Sequence, residues 1–383
     1  MSEVYVSGQS GIGRLIQALA AKGHRVIGPV VRNKALVYDE ITGVEDLPKG
    51  WTDLQEPGRY RLEQRGDEKL FGYVVGAQSW KQYLTPPETV LWSGTVSPEG
   101  FMTDTPSETP KYAFFGVRPC EVAALGILDR VYATSNGNPA MAGYTAIRDQ
   151  VFIVAVNCVE PGGNCFCASM DTGPTARSGY DISITEIVHN GNMRYLIESG
   201  SDAGVEVLAD LTPLEEPSEA EIETADALLA EAAAGMGATL ETEDLPELLK
   251  GNARNPRWES IADRCLACAN CTMVCPTCFC NTVDDNLSLD GTHATRTRKW
   301  DSCFTLGFSY MHGLPMREGV GARYRQWITH KLATWVDQFD EMGCVGCGRC
   351  ITWCPVGIDI TQEAAAIRRA DLRDTPIGIG GFA

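Results

Sequence analysis

The chain has 383 residues, 44% hydrophobic and 21% charged, the balance of a globular protein and more chain than one ordinary core organises. Its net charge of −18 argues against non-specific nucleic-acid binding or an anionic membrane surface as its main partner. No apolar run approaches the roughly 20 residues that cross a bilayer.

Residues 1–23 lack the basic start and unbroken apolar stretch of a signal peptide, which points to the cytoplasm. Ile12, Leu15, Ile16 and Leu19 recur on one helical face that Gly23 can end. The preceding "GQSGIG" (8–13) has the look of a phosphate loop. It lacks a buried strand before it and a lysine within it, and it is not G-x-G-x-x-G, so it reads as a helix start. Strand-like runs follow at 35–41, 60–65, 70–76, 89–94 and 111–117, punctuated by Gly and Pro. A helical stretch, 119–132, leads to the apolar strand 151–156. That order predicts a βαβ unit with both strands buried. Residues 180–198 read as a hairpin turning at Asn190-Gly191.

These elements predict an α+β or α/β domain with a mixed sheet over 1–212. Ser218 and Glu221 open an acidic helical connector, 213–255, with a capping box. Trp258, Ile261 and Ala262 then lead into Cys265. From there the expectation is a mainly helical, ferredoxin-like dicluster domain over 256–383, with a long insert at 277–343.

The cysteines carry the chemistry. In a cytoplasmic protein, clustered cysteines signal metal or redox work, and fifteen is an odd number for a disulfide framework. "CLACANCTMVCP" (265–276) and "CVGCGRCITWCP" (344–355) share the spacing C-x2-C-x2-C-x3-C-P, which is that of paired iron–sulfur clusters. Three thiolates on a tight loop reach three corners of a cubane, and the proline redirects the chain after the fourth. In such pairs the fourth cysteine serves the other cluster. The expected sets are therefore Cys265, Cys268, Cys271 and Cys354 for one [4Fe-4S] cluster, and Cys344, Cys347, Cys350 and Cys275 for the second. Structural zinc is the plainer alternative, since C-x2-C pairs also suit it.

Four cysteines precede residue 265. Cys120 follows strand 111–117, while Cys158, Cys165 and Cys167 follow strand 151–156. If those strands are parallel, their loops leave the same sheet edge, where open α/β sheets bind ligands. A third iron–sulfur cluster is expected there, against zinc or simple buried thiols. Arg118 and Glu121 either tune that site or cap the helix. In the insert, Cys278, Cys280 and Cys303 read as packing or supporting sulfur. The insert's basic residues Arg296, Arg298, Lys299, Arg317, Arg323, Arg325 and Lys331 either face anionic clusters or an acidic partner, or form a solvated surface. The five histidines are scattered, and no protease, kinase or nucleophile-elbow pattern marks a substrate, flavin or nicotinamide site.

"FFGVRPCEVAALGILDRVY" (114–132), "NCVEPGGNCFCASM" (157–170) and the two cysteine runs together resemble the β subunit of soluble cytoplasmic NiFe hydrogenases of the sulfhydrogenase type. The electron-carrying iron–sulfur chain of anaerobic sulfite reductase looks like a close relative. "GHRVIGPVV" and "PGRYRLEQ" resemble the hydrogenase branch. The resemblance implies a non-catalytic electron-transfer subunit of a hetero-oligomer. Its partners would be a flavin- and NAD(P)-binding γ subunit, together with the small δ and large NiFe α hydrogenase subunits. In the sulfite-reductase alternative, electrons pass toward a sirohaem subunit.

Overall fold

The computed structural model describes residues 3–371 except 75, 99, 104–108, 134–140 and 212. Its strands run β1 Val4–Ser7, β2 Arg25–Arg32, β3 Ala35–Glu40, β4 Trp51–Glu56, β5 Arg59–Gln64, β6 Glu88–Ser97, β7 Gly100–Thr103, β8 Tyr112–Val117, β9 Phe152–Val156, β10 Ile182–His189, β11 Asn192–Ser199, β12 Asn281–Leu287 and β13 His293–Trp300. Seven form a mixed sheet in the order β1-β11-β10-β9-β8-β2-β3. Its centre, β10-β9-β8-β2, is parallel and its margins are antiparallel.

The expected βαβ unit is present: β8 and β9 pair in parallel across the helix Pro119–Tyr132. Both strands read as unbroken apolar runs because both sheet faces are covered. Ala113, Phe115, Val154 and Val156 face the helix Gln9–Ala21 through Ile12, Leu15, Ile16 and Leu19. Phe114, Ile153 and Ala155 face Trp80, Leu125, Leu128 and Tyr144. The hairpin of β10 and β11 turns at Asn190 (φ 50°) and Gly191 (φ 76°), the left-handed pair that matches strand twist.

Two expectations give way. A short strand, β1, does precede residues 8–13, though the segment is still a helix start; four residues are too few to announce a strand in sequence. Residues 70–74 are not a strand, because buried side chains take their backbone groups. The N–H groups of Leu70 and Phe71 donate to Glu186 at 2.7 and 3.1 Å, Val74 N–H donates to Asp53, and Arg118 takes the carbonyls of Phe71 and Tyr73.

A second sheet, β12-β13-β6-β7, joins the insert to the amino-terminal half of the chain, with β13 pairing antiparallel to β6. A second core gathers Leu245, Leu248, Trp258, Ile261, Phe304, Trp327, Leu332 and Ile351, and several cysteines of the two runs pack against it. The helix Glu219–Ala234 starts as expected: Ser218 Oγ accepts from Glu221 N–H and Glu221 returns the bond to Ser218 N–H. Ser218→Ala should lower unfolding free energy by about 1 kcal/mol in denaturant titration, with iron content unchanged.

Candidate metal centres

The two cysteine runs fold alike. Positions two and four after each first cysteine are left-handed: Ala267 (φ 50°) and Ala269 (φ 65°) in one, Gly346 (φ 63°) and Gly348 (φ 71°) in the other. Each run then makes one helical turn, Asn270–Met273 or Arg349–Thr352. Those left-handed residues curl the loop so that successive thiols turn to one side. Backbone N–H groups also reach sulfur: Ala267 to Cys265 at 3.4 Å and Ile358 to Cys354 at 3.3 Å.

Cys265, Cys268, Cys271 and Cys354 line one hollow together with Cys350, Phe304, Tyr324 and Trp327. Cys354 comes from the distant run. Cys268 is exposed, and Leu266 beside it is 63% exposed, so this hollow lies at the surface. Cys275, Cys344, Cys347 and Cys350 gather deeper. Burial pushes the Cys344 thiol up to about 12, with Lys331 opposing and Cys275 and Cys347 adding. Burial likewise raises Cys350, with Cys344, Cys347 and Cys275 adding.

The four early cysteines also come together. Cys120 sits in the first turn after β8, and Cys158, Cys165 and Cys167 sit in the loop after β9; all four are buried. Burial raises every one of these thiols. The others then add: Cys167 and Cys347 act on Cys120, Cys167 and Cys158 on Cys165, and Cys158 and Cys347 on Cys167, which reaches about 12. Four buried thiols that resist ionising one another suit a cationic metal centre that holds them deprotonated. Among the described residues no three His, Cys, Asp or Glu side chains are placed to hold a single metal ion.

Cys347 belongs to the second gathering yet neighbours the third. The reason is backbone contact: Phe166 N–H donates to Gly346 O at 2.8 Å. A Cβ on Gly346 would lie 2.6 Å from the Phe166 carbonyl, and one on Gly348 2.4 Å from Asn164 O. This is why the second run reads V-G-C-G where the first reads L-A-C-A. Side chains are excluded only where another loop presses close.

Buried cations surround the deeper centres. Arg349, between Cys347 and Cys350, pairs with Glu121 at 2.6 Å, each 1% exposed. It also donates to Gly76 O and Gln78 O, and Tyr38 Oη donates to Glu121 at 2.7 Å. Arg118 reaches Cys158 Sγ at 3.8 Å besides its carbonyl partners. Neither side chain caps the helix Pro119–Tyr132: Glu121 is held in the ion pair, and Arg118 makes no capping bond. Lys331 lies on a π-helical turn, His330–Thr334, and donates to Thr277 Oγ1 at 2.8 Å and Gly343 O at 3.2 Å. Burial works against its charge, but the sulfurs of Cys275, Cys278 and Cys344 outweigh that and raise its pKa. Lys81 donates to the carbonyls of Cys275 and Cys278 and sits 3.9 Å from the Trp300 ring centroid. Nothing near Lys81 in sequence marked it.

Among the insert cations, Lys331 reaches these centres, and Arg323 lies near Cys265 while donating to Phe304 O. Arg296 is exposed and Lys299 half-buried, paired with Asp285 and Asp284; Arg298 is buried and donates to Met141 Sδ, and Arg325 bonds Ala253 O. Cys278 and Cys275 act on each other, Cys275 being lowered and Cys278 raised, and Cys275 Sγ also meets Thr277 Oγ1 at 3.3 Å. Cys280 and Cys303 act on each other: the Cys303 thiol lowers Cys280 to about 7, burial opposing, and Cys303 rises in turn. Burial brings His330 down to about 4, with Lys331 adding.

Residues 264–358 match the family described as a 4Fe-4S dicluster domain. The chain is 28% identical over 351 residues to the sulfhydrogenase 2 subunit beta of Pyrococcus furiosus, a match that covers 90% of this chain and 92% of that one. No helix among the described residues is long and apolar enough to cross a membrane.

Four outcomes test these contacts. Gly346→Ala should part the two loops and cost protection of residues 164–167 in hydrogen exchange. Ala267→Gly, at the equivalent position, should cost nothing, because it relieves a left-handed strain of roughly 1–2 kcal/mol. Arg349→Met leaves the Glu121 carboxylate buried and unpaired and should lower stability by about 3–5 kcal/mol in denaturant titration. His330 is neutral in the fold, so its contribution is full above its unfolded pKa and is lost as pH falls from about 6.5 toward 4. A thermal-melt series over that range should flatten in His330→Gln.

Proposed function

We propose that this chain, a relative of hydrogenase β subunits with a four-iron–four-sulfur dicluster domain, is the electron-transfer subunit of a multi-subunit hydrogenase. Cys265, Cys268, Cys271 and Cys354 would hold the first cluster; Cys344, Cys347, Cys350 and Cys275 the second; and Cys120, Cys158, Cys165 and Cys167 a third. When bound, each cluster supplies a site that takes and releases one electron.

The observation that carries this reading is the place of Cys347. Its run crosses to Cys275 and the first set on one side and is pressed against Cys165 and Cys167 on the other. Three sets sharing neighbours in that manner make a line rather than scattered sites. Arg349, Lys331 and Arg118 stand along it as fixed positive charge, which favours the reduced state of whatever they surround. The first set opens to solvent between Leu266 and Val356, an apolar rim suited to a docking redox partner. The protein has the parts of a conductor. The reading leaves hydride chemistry to a flavin- and NAD(P)-binding γ subunit, with hydrogen chemistry falling to the NiFe α and δ subunits in the cytoplasm.

Metal analysis of the anaerobically purified chain should give about 12 iron atoms, against about 8 for two clusters alone. Cys167→Ala should remove about four of them. In EPR of the reduced protein, Cys275→Ala should alter the same signal as Cys347→Ala and spare the one that Cys268→Ala alters. Cys275 grouping with Cys268 instead would uncross the ligand sets.

A further inference from the structure

Three thiols are left over when the three sets are drawn, Cys278, Cys280 and Cys303, and the fold brings the last two to one hollow. Cys280 and Cys303 flank the open end of the β12–β13 hairpin, where Asn281 pairs with Trp300 and Asp301 N–H donates to Cys280 O at 2.9 Å. The chain then turns at Ser302 and returns Cys303 to Cys280. There each thiol acts on the other, the Cys280 thiol being lowered and the Cys303 thiol raised. Both cysteines line a hollow with Phe279, Phe308, Arg317 and His330 and are partly exposed. On the other side, Cys303 lies near enough to Cys271 of the first set for their charges to oppose. Cys278 differs: it does not line that hollow, and its nearest charge partner is Cys275 of the second set.

We propose that Cys280 and Cys303 form a reversible dithiol–disulfide couple that exchanges electrons with the iron–sulfur line and acts on small disulfides in that hollow. The proposal rests on the cluster reading given above. The balance has two halves. The intramolecular disulfide accepts two electrons, delivered singly by reduced clusters, and two protons from solvent, giving two thiols. The dithiol then reduces a disulfide R–S–S–R: one thiolate attacks, a mixed disulfide forms with loss of one RSH, and the second thiol displaces the other. The carrier is restored to its disulfide and two RSH leave. Arg317 in the wall favours a disulfide that carries a carboxylate, as oxidised glutathione does.

The test treats the whole, cluster-loaded chain anaerobically with oxidised glutathione, alkylates the remaining thiols and maps peptides by mass spectrometry. A Cys280–Cys303 link should appear, with alkylation of both cysteines falling at least about tenfold, and addition of reduced methyl viologen should reopen it. Cys303→Ser should instead trap glutathione on Cys280. Cys280→Ser and Cys303→Ser should keep the iron content of the natural protein. Full alkylation after the oxidant overturns the proposal, as does a link that the one-electron donor cannot reopen. Loss of iron in either serine variant would make that cysteine a ligand and overturn it as well. Iron and EPR are read on the same sample, so a preparation with iron but no link fails the couple alone. A preparation without iron fails the cluster reading and the wiring with it, whether or not the link forms.

Discussion

The arrangement depends on one close approach of backbone to backbone. The loop carrying Cys344, Cys347 and Cys350 lies against the loop carrying Cys165 and Cys167 with no space for a side chain at Gly346 or Gly348. Phe166 N–H on Gly346 O fixes the register. Around it, Asn164 donates to Thr352 Oγ1 at 2.8 Å, Thr352 donates to Gln55 Oε1 at 2.7 Å, and Gly58 at the β4–β5 turn donates to Ile351 O. The dicluster run is thereby clamped between two pieces of the amino-terminal half. The sheet's parallel strands deliver Cys120 and Cys158 to the same edge, so the place where the halves meet is also where the thiols meet.

Charge is arranged to match. A chain of −18 overall keeps Arg118, Arg349, Lys331 and Lys81 inside, each buried and each bonded chiefly to carbonyl oxygen rather than to carboxylate. Carbonyl partners take up donors without cancelling the charge, which stays available to the sulfur beside it; Arg349 Nη1 has no hydrogen-bond partner of its own. Glu121 is the exception, and its bond with Arg349 ties the helix after β8 to the second cysteine run. Removing water from such groups costs several kcal/mol each, an expense that a fold bears where it fixes a site.

The cysteine runs were legible because their spacing is a chemical requirement, and β8 and β9 because two covered faces demand unbroken apolar sequence. The convergence of Cys120 with Cys158, Cys165 and Cys167 could be read from strand order alone. What escaped has physical reasons. Pro29 interrupts β2 and discourages a strand reading, yet the neighbouring β8 carries an irregularity at Gly116 (φ 87°), whose Cβ would lie 3.1 Å from the Pro29 ring. The β12–β13 hairpin is polar, so alternation gives little signal, though Asp290-Gly291 was a turn signature in plain view. Lys81 reaches Cys275 only through tertiary packing, and no local pattern encodes that.

The most direct test is a crystal structure of the anaerobically prepared protein with anomalous difference maps at the iron edge. Three iron centres should lie in a row, the middle one bounded by Cys275 and the 344–350 loop, and the last beside Cys120 and Cys167. Iron bound by Cys265, Cys268, Cys271 and Cys275 as one closed set, or no anomalous signal beside Cys120, would contradict the account.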